Sequence, residues 1–325
     1  MNDDNNILVD GFRRLIADTV TPARVREVEE TLSPASLWEA LHASGFLDML
    51  VLEDAGGAGL MLPDIFPLLL VLGEYAVPVP FAETMVARGM LSARGVSAPE
   101  DALIVLAPAS ATLPFGKLVT HALVARDDGL HLVEAQGKGD DIFGAAGALG
   151  LTSGASVGRV PGSSDDLMIG AAAVASAQMA GAMSRMLEMT LRHAGERAQF
   201  GRPLGKFQAI QQQIAVLAEQ VISCQVAART AFSGTSFDPV RVAAAKCRAG
   251  EASNLVCGIS HAVHGAIGAT AEFDLQLYSR RLKQWQLAFG SQQYWATRLG
   301  MARAAPGNPN TADFLRRNLA WEIVS

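Results

Sequence analysis

Cysteine is scarce in this 325-residue chain: Cys224, Cys247 and Cys257 are an odd set with no C-x-x-C spacing, and no histidine pair stands at metal-ligand separation. That excludes a disulfide framework and a cysteine–histidine zinc site, and leaves three thiols in alanine-rich helical patterns that read as buried and free. Charge is also sparse, at 18% of residues, with a formal net charge of -6. No basic stripe exists to neutralise phosphates along a duplex, so nucleic-acid binding is excluded as a function class. The first residues, Met1-Asn2-Asp3-Asp4-Asn5-Asn6, are acidic and polar where a secretory signal needs a basic and then an apolar run. Long apolar runs are missing too, none approaching the roughly 18 residues of a membrane span. The expectation is a cytoplasmic protein with no membrane span.

What is there is a large apolar fraction. Half of the residues are hydrophobic, which is ample for a sizeable core and at least two domains, and so little charge points to extensive buried subunit contacts. The texture changes along the chain. Residues 1–100 read as a helical domain, with Ser33-Pro34 as an N-cap followed by proline at the first helical position, and Pro63 restarting a helix after a glycine-rich turn. Residues 101–162 carry short β-prone runs, Leu103-Ile104-Val105-Leu106, Leu118 to Val124 and Leu130-His131-Leu132-Val133, separated by Pro, Gly and Asp-Asp-Gly turns. Residues 163–300 return to helix. Ser163 and Asp166 form a capping-box start, Ile210, Ile214, Leu217, Val221 and Cys224 mark one helical face, and Asp238-Pro239 opens a further helix whose Ala243, Ala244 and Ala245 permit close packing. Residues 301–325 form a tail with a Pro/Gly/Asn linker and a short helix presenting Leu315, Leu319 and Trp321.

The most informative segment is Arg197-Ala198-Gln199-Phe200-Gly201-Arg202-Pro203-Leu204-Gly205-Lys206-Phe207, just ahead of a long helical pattern. Arg197 can fork onto a pyrophosphate while Phe200 offers a flat apolar face. Three further segments stand in order with it: Ser44 to Leu60, ending Leu52-Glu53-Asp54-Ala55-Gly56-Gly57-Ala58-Gly59; Gly73 to Thr84, with Pro78-Val79-Pro80-Phe81-Ala82-Glu83-Thr84; and His264-Gly265-Ala266-Ile267-Gly268 followed by Leu277-Tyr278-Ser279-Arg280-Arg281. Together they resemble the flavin-dependent acyl-CoA dehydrogenase family over most of the chain.

The resemblance implies a mainly α, acyl-CoA dehydrogenase-like fold: an N-terminal helical domain, a middle β-domain, here shortened, and a C-terminal four-helix bundle through which the family oligomerises. It implies FAD as cofactor and an acyl-CoA thioester as substrate. A glutamate removes the proton alpha to the carbonyl while the beta hydride goes to the flavin. In the family the R-x-x-F-G and H-G-G-x-G segments reach across a subunit boundary to FAD bound mainly by the other subunit. Arg197, Gln199, Phe200, Leu204, Phe207, Gly265 and Gly268 carry that role over, with electron-transfer flavoprotein as a candidate acceptor.

Several positions depart from the family pattern. Phe289 stands where the "Y-E-G-T" glutamate is expected, and an aromatic hydrocarbon cannot accept a proton. A second family pattern would place the base at Ala171. Asp165 and Asp166 read as first-turn carboxylates complementing a helix dipole. The span from Pro99 to Gly162 holds little more than half of the usual β-domain and lacks the "T-E-P-x-x-G-S-D" flavin-contacting stretch. Ala262 and Ala266 replace a glutamine and the second glycine near H-G-G-x-G. This pattern resembles the smaller subunits of heteromeric α2β2 acyl-CoA dehydrogenases, whose homologous partner supplies the glutamate. Two alternatives remain open: a self-sufficient homo-oligomer using a non-standard carboxylate such as Asp166 or Glu272, or a non-catalytic scaffold that has lost FAD.

Overall fold

The computed structural model describes residues 3–108, 112–138, 145–151, 156–307 and 310–319. Five helices open the chain: α1 (Asp3–Thr19), α2 (Pro22–Thr31), α3 (Ala35–His42), α4 (Leu62–Glu74) and α5 (Phe81–Ser92). Helix α3 starts one residue later than the Ser33-Pro34 pair predicts. Pro34 is the cap and, having no side-chain acceptor, makes no side-chain cap bond, while Ser33 N–H donates to the Thr31 hydroxyl at the end of α2 (3.3 Å). Pro63 sits in the first turn of α4, as its missing donor allows. The glycine-rich turn ahead of α4 folds back on itself, Gly59 N–H donating to Val51 O at 2.8 Å. A Cβ at Gly57 would overlap the Val51 carbonyl.

A small sheet follows, built from β1 (Ile104–Ala107), β2 (Thr112–Leu113), β3 (His121–Arg126), β4 (Gly129–Lys138), β5 (Gly147–Leu151) and β6 (Gly158–Val160). Its order is β1-β3-β4-β5-β2, with β6 also on β4; β1 and β3 run parallel and the other pairs antiparallel. Strand β3 begins at His121 rather than Leu118, since Leu118 N–H closes a turn onto Phe115 O (2.8 Å). The free edge of β1 is covered by α5: the Thr84 hydroxyl accepts from Ile104 N–H (2.9 Å) and donates to Ile104 O (3.1 Å), and Glu83 accepts from Leu106 N–H (3.2 Å). The Glu-Thr pair of the Pro78 to Thr84 segment therefore closes a sheet edge.

The remaining helices are α6 (Ser164–Glu196), α7 (Gln208–Ala231), α8 (Pro239–His264), α9 (Leu275–Leu287), α10 (Gln292–Ala304) and α11 (Thr311–Leu319). Helix α6 is the axis of the molecule, packed against α4, α7, α8, α9 and the strands β1 and β3. It starts on the Ser163–Asp166 capping box, and α8 starts on the Asp238 side chain, which accepts from Val240 and Arg241 N–H at 2.9 Å each. In length and composition α6 does meet the requirements of a membrane span, against the sequence expectation, but 89% of its apolar window is buried inside the fold. Leu217, Val221 and Cys224 are buried on α7 while Ile210 and Ile214 are half-buried. All three cysteines are free; Cys247 is half-buried rather than buried. The tail helix α11 turns Phe314 inward and leaves Leu315 exposed. Arg241 Nε donates to Asn318 O at 2.9 Å, which fixes α11 against α8. Asn308, Pro309 and Trp321 lie outside the described residues.

Two glycines set the distance between α4 and α6. A Cβ on Gly73 would overlap the Gln178 carbonyl, and one on Gly181 the Leu70 carbonyl. Gly181→Ala is expected to destabilise the protein by about 1–3 kcal/mol through overpacking, read as a lower urea midpoint. Gly11→Ala, on α1 with nothing near its Cβ, is expected to raise it by about 0.5–1 kcal/mol. Equal effects would show that α4 and α6 are not held in backbone contact.

Burial pushes the Glu83 carboxyl up to about 8, partly opposed by the Leu106 N–H. The folded state therefore holds a proton that the unfolded state has lost, and this contribution to stability falls as pH rises from about 4.5 to 8. Urea midpoints at the two ends of that window should differ for the native chain, and Glu83→Gln should remove most of the difference.

Candidate functional site

At the end of α6, Arg197 leaves the helix in an extended conformation, its N–H still donating to His193 O at 2.9 Å. Two short strands, β7 (Ala198–Gln199) and β8 (Arg202–Pro203), pair antiparallel around Phe200 and Gly201. Both turn residues have positive φ, 50° and 80°, the requirement of a tight two-residue hairpin. A phenylalanine there costs on the order of 1 kcal/mol against a glycine, yet its ring is 91% exposed. The sequence reading of a glycine turn missed this hairpin, whose signal was two residues either side of Phe-Gly. Leu204 N–H closes the segment onto Arg197 O (2.8 Å), and Phe207 N–H onto Leu204 O (3.0 Å). The Arg202 guanidinium lies 4.1 Å over the Phe207 ring, and Phe200 meets that ring edge-on at 6.3 Å. Arg197 and Gln199 are exposed, Leu204 and Phe207 half-buried. The result is a rigid projecting edge with a bare ring and two guanidiniums, suited to a flat ring system carrying an anionic bridge.

Gly265 and Gly268 come to the same end of the bundle, because α7 reverses the chain between α6 and α8. Gly265 follows α8 with φ 65° and open space where a Cβ would stand; a Cβ on Gly268 would lie 2.9 Å from His264 Cβ. The His193 ring at the end of α6 stacks on the His264 ring at the end of α8 (centroids 4.5 Å), so the two motif segments touch through this pair. The structure thus gathers Arg197, Gln199, Phe200, Leu204, Phe207, Gly265 and Gly268 at one pole. Ala262 and Ala266 are exposed there without polar side chains.

Phe289 sits at the other pole, between α9 and α10, 6% exposed and with φ 54°. Its backbone is fastened from both sides. Trp295 Nε1 donates to Phe289 O (2.8 Å), and the fully buried Lys246 donates its three protons to Trp285 O (2.8 Å), Gln286 O (3.3 Å) and Gly290 O (3.0 Å). Burial pulls the Lys246 ammonium down to about 7, while the last carbonyls of α9 and its dipole favour the charge. Lysine at this buried place carried no sequence signal beyond its interruption of an alanine-rich pattern.

The other carboxylates proposed from sequence are occupied or remote. Asp166 accepts from Ser163 N–H and hydroxyl at 2.7 Å each. Asp165 is paired with Arg298, one contact at 2.8 Å, which holds its carboxyl below the usual range. Glu272 is exposed in the turn before α9, and the helix-start position expected of it belongs to Asp274, which pairs with Arg26 at 2.7 Å. Ala171 is fully buried. A cleft of about 750 Å³ lies beside the start of α6, walled by Leu60, Met61, Met90, Val160, Ile169 and Phe237, with Asp166 the sole carboxylate on its lining. Asp166 Oδ2 is engaged by the capping box at the start of α6. From Asp166 to Arg197 is 31 helical steps along α6, roughly 45 Å at 1.5 Å per residue, so cleft and hairpin cannot serve one small ligand within a single copy.

The comparisons with known proteins agree with this architecture. The acyl-CoA dehydrogenase C-terminal domain family matches residues 165–304. The chain is 28% identical to acyl-CoA dehydrogenase IpdE2 of Mycolicibacterium smegmatis, spanning 86% of this chain and 93% of that protein. It is also 28% identical to acyl-CoA dehydrogenase FadE27 of Mycobacterium tuberculosis, over 89% and 94%. Among solved structures, a variant of the Tcur3481–Tcur3483 steroid ACAD superposes with a TM-score of 0.77 at 26% identity, covering 92% of this chain and 97% of that one. The ChsE4–ChsE5 complex from Mycobacterium tuberculosis shares the fold, with a TM-score of 0.81 at 21% identity, covering 94% and 98%. Residues 165–304 thus match the acyl-CoA dehydrogenase C-terminal domain family, and the chain is similar to acyl-CoA dehydrogenases over most of its length.

Lys246→Met should lower stability by about 1–3 kcal/mol, because it strips a buried donor from three carbonyls. Thermal melts that leave Lys246→Met level with the native chain would show that water or a rearranged loop satisfies those groups.

Proposed function

We propose that this chain is the supporting subunit of an FAD-dependent acyl-CoA dehydrogenase: it completes the FAD site of a homologous partner, and that partner supplies the glutamate that takes the α-proton. The observation that carries the reading is the split between the two poles. A strained and exposed hairpin stands at one end of α6, a cleft whose lining carboxylate Asp166 serves a capping box stands at the other, and Phe289 is buried between α9 and α10 where the family's glutamate is expected. The exposed edge fits the pyrophosphate and a flat ring of FAD. Arg197 would fork onto the pyrophosphate, Phe200 would lie against a ring face, Gln199 would offer its amide, Leu204 and Phe207 would back the contact, and the open space at Gly265 and Gly268 would let backbone approach. When bound, FAD would supply the acceptor for the beta hydride of the thioester.

The outer faces of α7 and α8 support an obligate assembly. Val216, Ile222, Val226 and Leu255 are exposed there, an apolar surface of the kind a second bundle would cover. A heterotetramer is favoured over a homo-oligomer because two copies of this chain would bring together two FAD edges and two phenylalanines at the place of the family's glutamate. The steroid ACAD with which the chain shares 26% identity suggests a bulky acyl-CoA of lipid or steroid catabolism. Cytoplasmic location and reoxidation by an electron-transfer flavoprotein complete the proposal.

The test is to purify the chain alone and then coexpressed with the nearest full-length homologue from the same genome. Flavin absorbance is expected only in the mixed complex, with bleaching by substrate that disappears when the partner's glutamate becomes glutamine. Arg197→Ala in this chain should weaken flavin retention by about 1–3 kcal/mol. Bright, substrate-bleached flavin in the lone chain would overturn the reading, and no flavin in any combination would favour a scaffold.

A further inference from the structure

His193 belongs to none of the sequence segments discussed above, yet it touches both halves of the flavin edge. Its carbonyl accepts the Arg197 N–H at 2.9 Å, and the Arg197 carbonyl in turn accepts the Leu204 N–H at 2.8 Å, closing the hairpin. Its ring stacks on His264 at 4.5 Å with 26° between planes. Phe273, ahead of α9, meets His264 at 5.1 Å and His193 at 6.4 Å. His264 Nδ1 lies 2.7 Å from Ser260 O, and the Met189 carbonyl of α6 also faces the ring. The His264 ring is therefore held by stacking on His193 and by backbone carbonyls of α8 and α6. Directly above it sits the Gly265–Ala269 turn, with Gly268 so close that a Cβ would press on His264 Cβ.

We propose that His193 is a positioning residue for the flavin edge: its ring clamps His264 and the glycine turn, while its carbonyl fastens the Arg197–Phe207 hairpin, so that one residue sets the register between the two segments. The consequence for flavin rests on the reading given under Proposed function; the clamp itself is a property of the chain alone.

The clamp requires neutral rings. Arg197 and Glu196 from the end of α6 and His261 from the preceding turn of α8 are the charged and titratable groups that act on the pair, and Phe273 adds an apolar wall. Burial, and for His193 also the Arg197 charge, lowers both imidazoles below their ordinary value of 6.5. An opened clamp takes up protons more readily than a closed one, so the closed form is retained above pH 6.5 and lost as pH falls further.

Hydrogen exchange of the Arg197, Leu204 and Phe207 amides in the lone chain tests the clamp, with the buried α7 amides of Leu217 and Val221 as the check on global folding. His193→Ala should speed exchange of the three hairpin amides on the order of fivefold, the loss of one aromatic pair, without changing the α7 amides. His193→Phe keeps a flat ring and should restore the native rates at neutral pH. In mild acid, after correction for intrinsic rates, the native hairpin should loosen while that of His193→Phe does not. Equal hairpin exchange in His193→Ala and the native chain would overturn the proposal, as would a Phe variant that behaves like Ala. In the mixed complex the Ala variant should lose flavin faster and the Phe variant hold it; loosened exchange with unchanged flavin retention would refute the positioning role. A complex holding no flavin in any variant would refute the flavin-edge reading, and the exchange rates would still decide the clamp.

Discussion

The structure depends on one contact, the backbone of α4 laid against the backbone of α6 through Gly73 and Gly181. Once those glycines touch, the run from Ala171 to Ala177 has no volume left for larger side chains and is buried throughout. A 33-residue helix enclosed in this way acts as a rod whose two ends are held apart by packing rather than by propensity. The two ends of α6 are chemically different: a largely apolar cleft with Asp166 on its lining, and a polar, exposed hairpin.

A second device ties the N-terminal helices and the sheet to the bundle. Arg281, the second arginine of the Leu-Tyr-Ser-Arg-Arg segment, is buried, with Glu29 of α2 at 2.7 Å and Gln284 at 3.0 Å. Its guanidinium lies 4.7 Å from the Phe115 ring and 5.6 Å from the Trp285 ring. A desolvated cation of this kind is weak evidence for stability but strong for register, since removing either partner strands a buried charge. It also fills the space between sheet and α9 with the chain's own side chains.

Helical texture, caps at Ser163 and Asp238, and the three stronger strands were legible because apolar periodicity and cap chemistry are local signals. The short strands β2, β5 and β6 were not, since Gly-Ala-Leu-Gly-Leu has no alternation and gains its strand state from β4. Ser33 is not the cap because α3 starts one residue later and its cap falls on Pro34, which has no side-chain acceptor. At the candidate site, residue types were legible but not conformation: nothing local announces that Phe200 and Phe289 adopt positive φ, or that Lys246 reaches three carbonyls 39 to 44 residues away. Tertiary hydrogen bonds decide those states.

The loop holding Phe289 is shaped by bonds to its carbonyls, from Trp295 Nε1 and Lys246 Nζ, and by the positive φ of Gly290. None of these involves the side chain at position 289. A carboxylate there would serve only chemistry, and an aromatic ring there serves only packing, so exchanging one for the other leaves the scaffold's supports in place. The hairpin differs: Phe200 is strained and 91% exposed, so its ring contributes little to the core and packing within the chain does not account for its conformation. An aromatic ring where the family resemblance places a glutamate, and a strained exposed ring at the hairpin, are the two features that the supporting-subunit proposal connects.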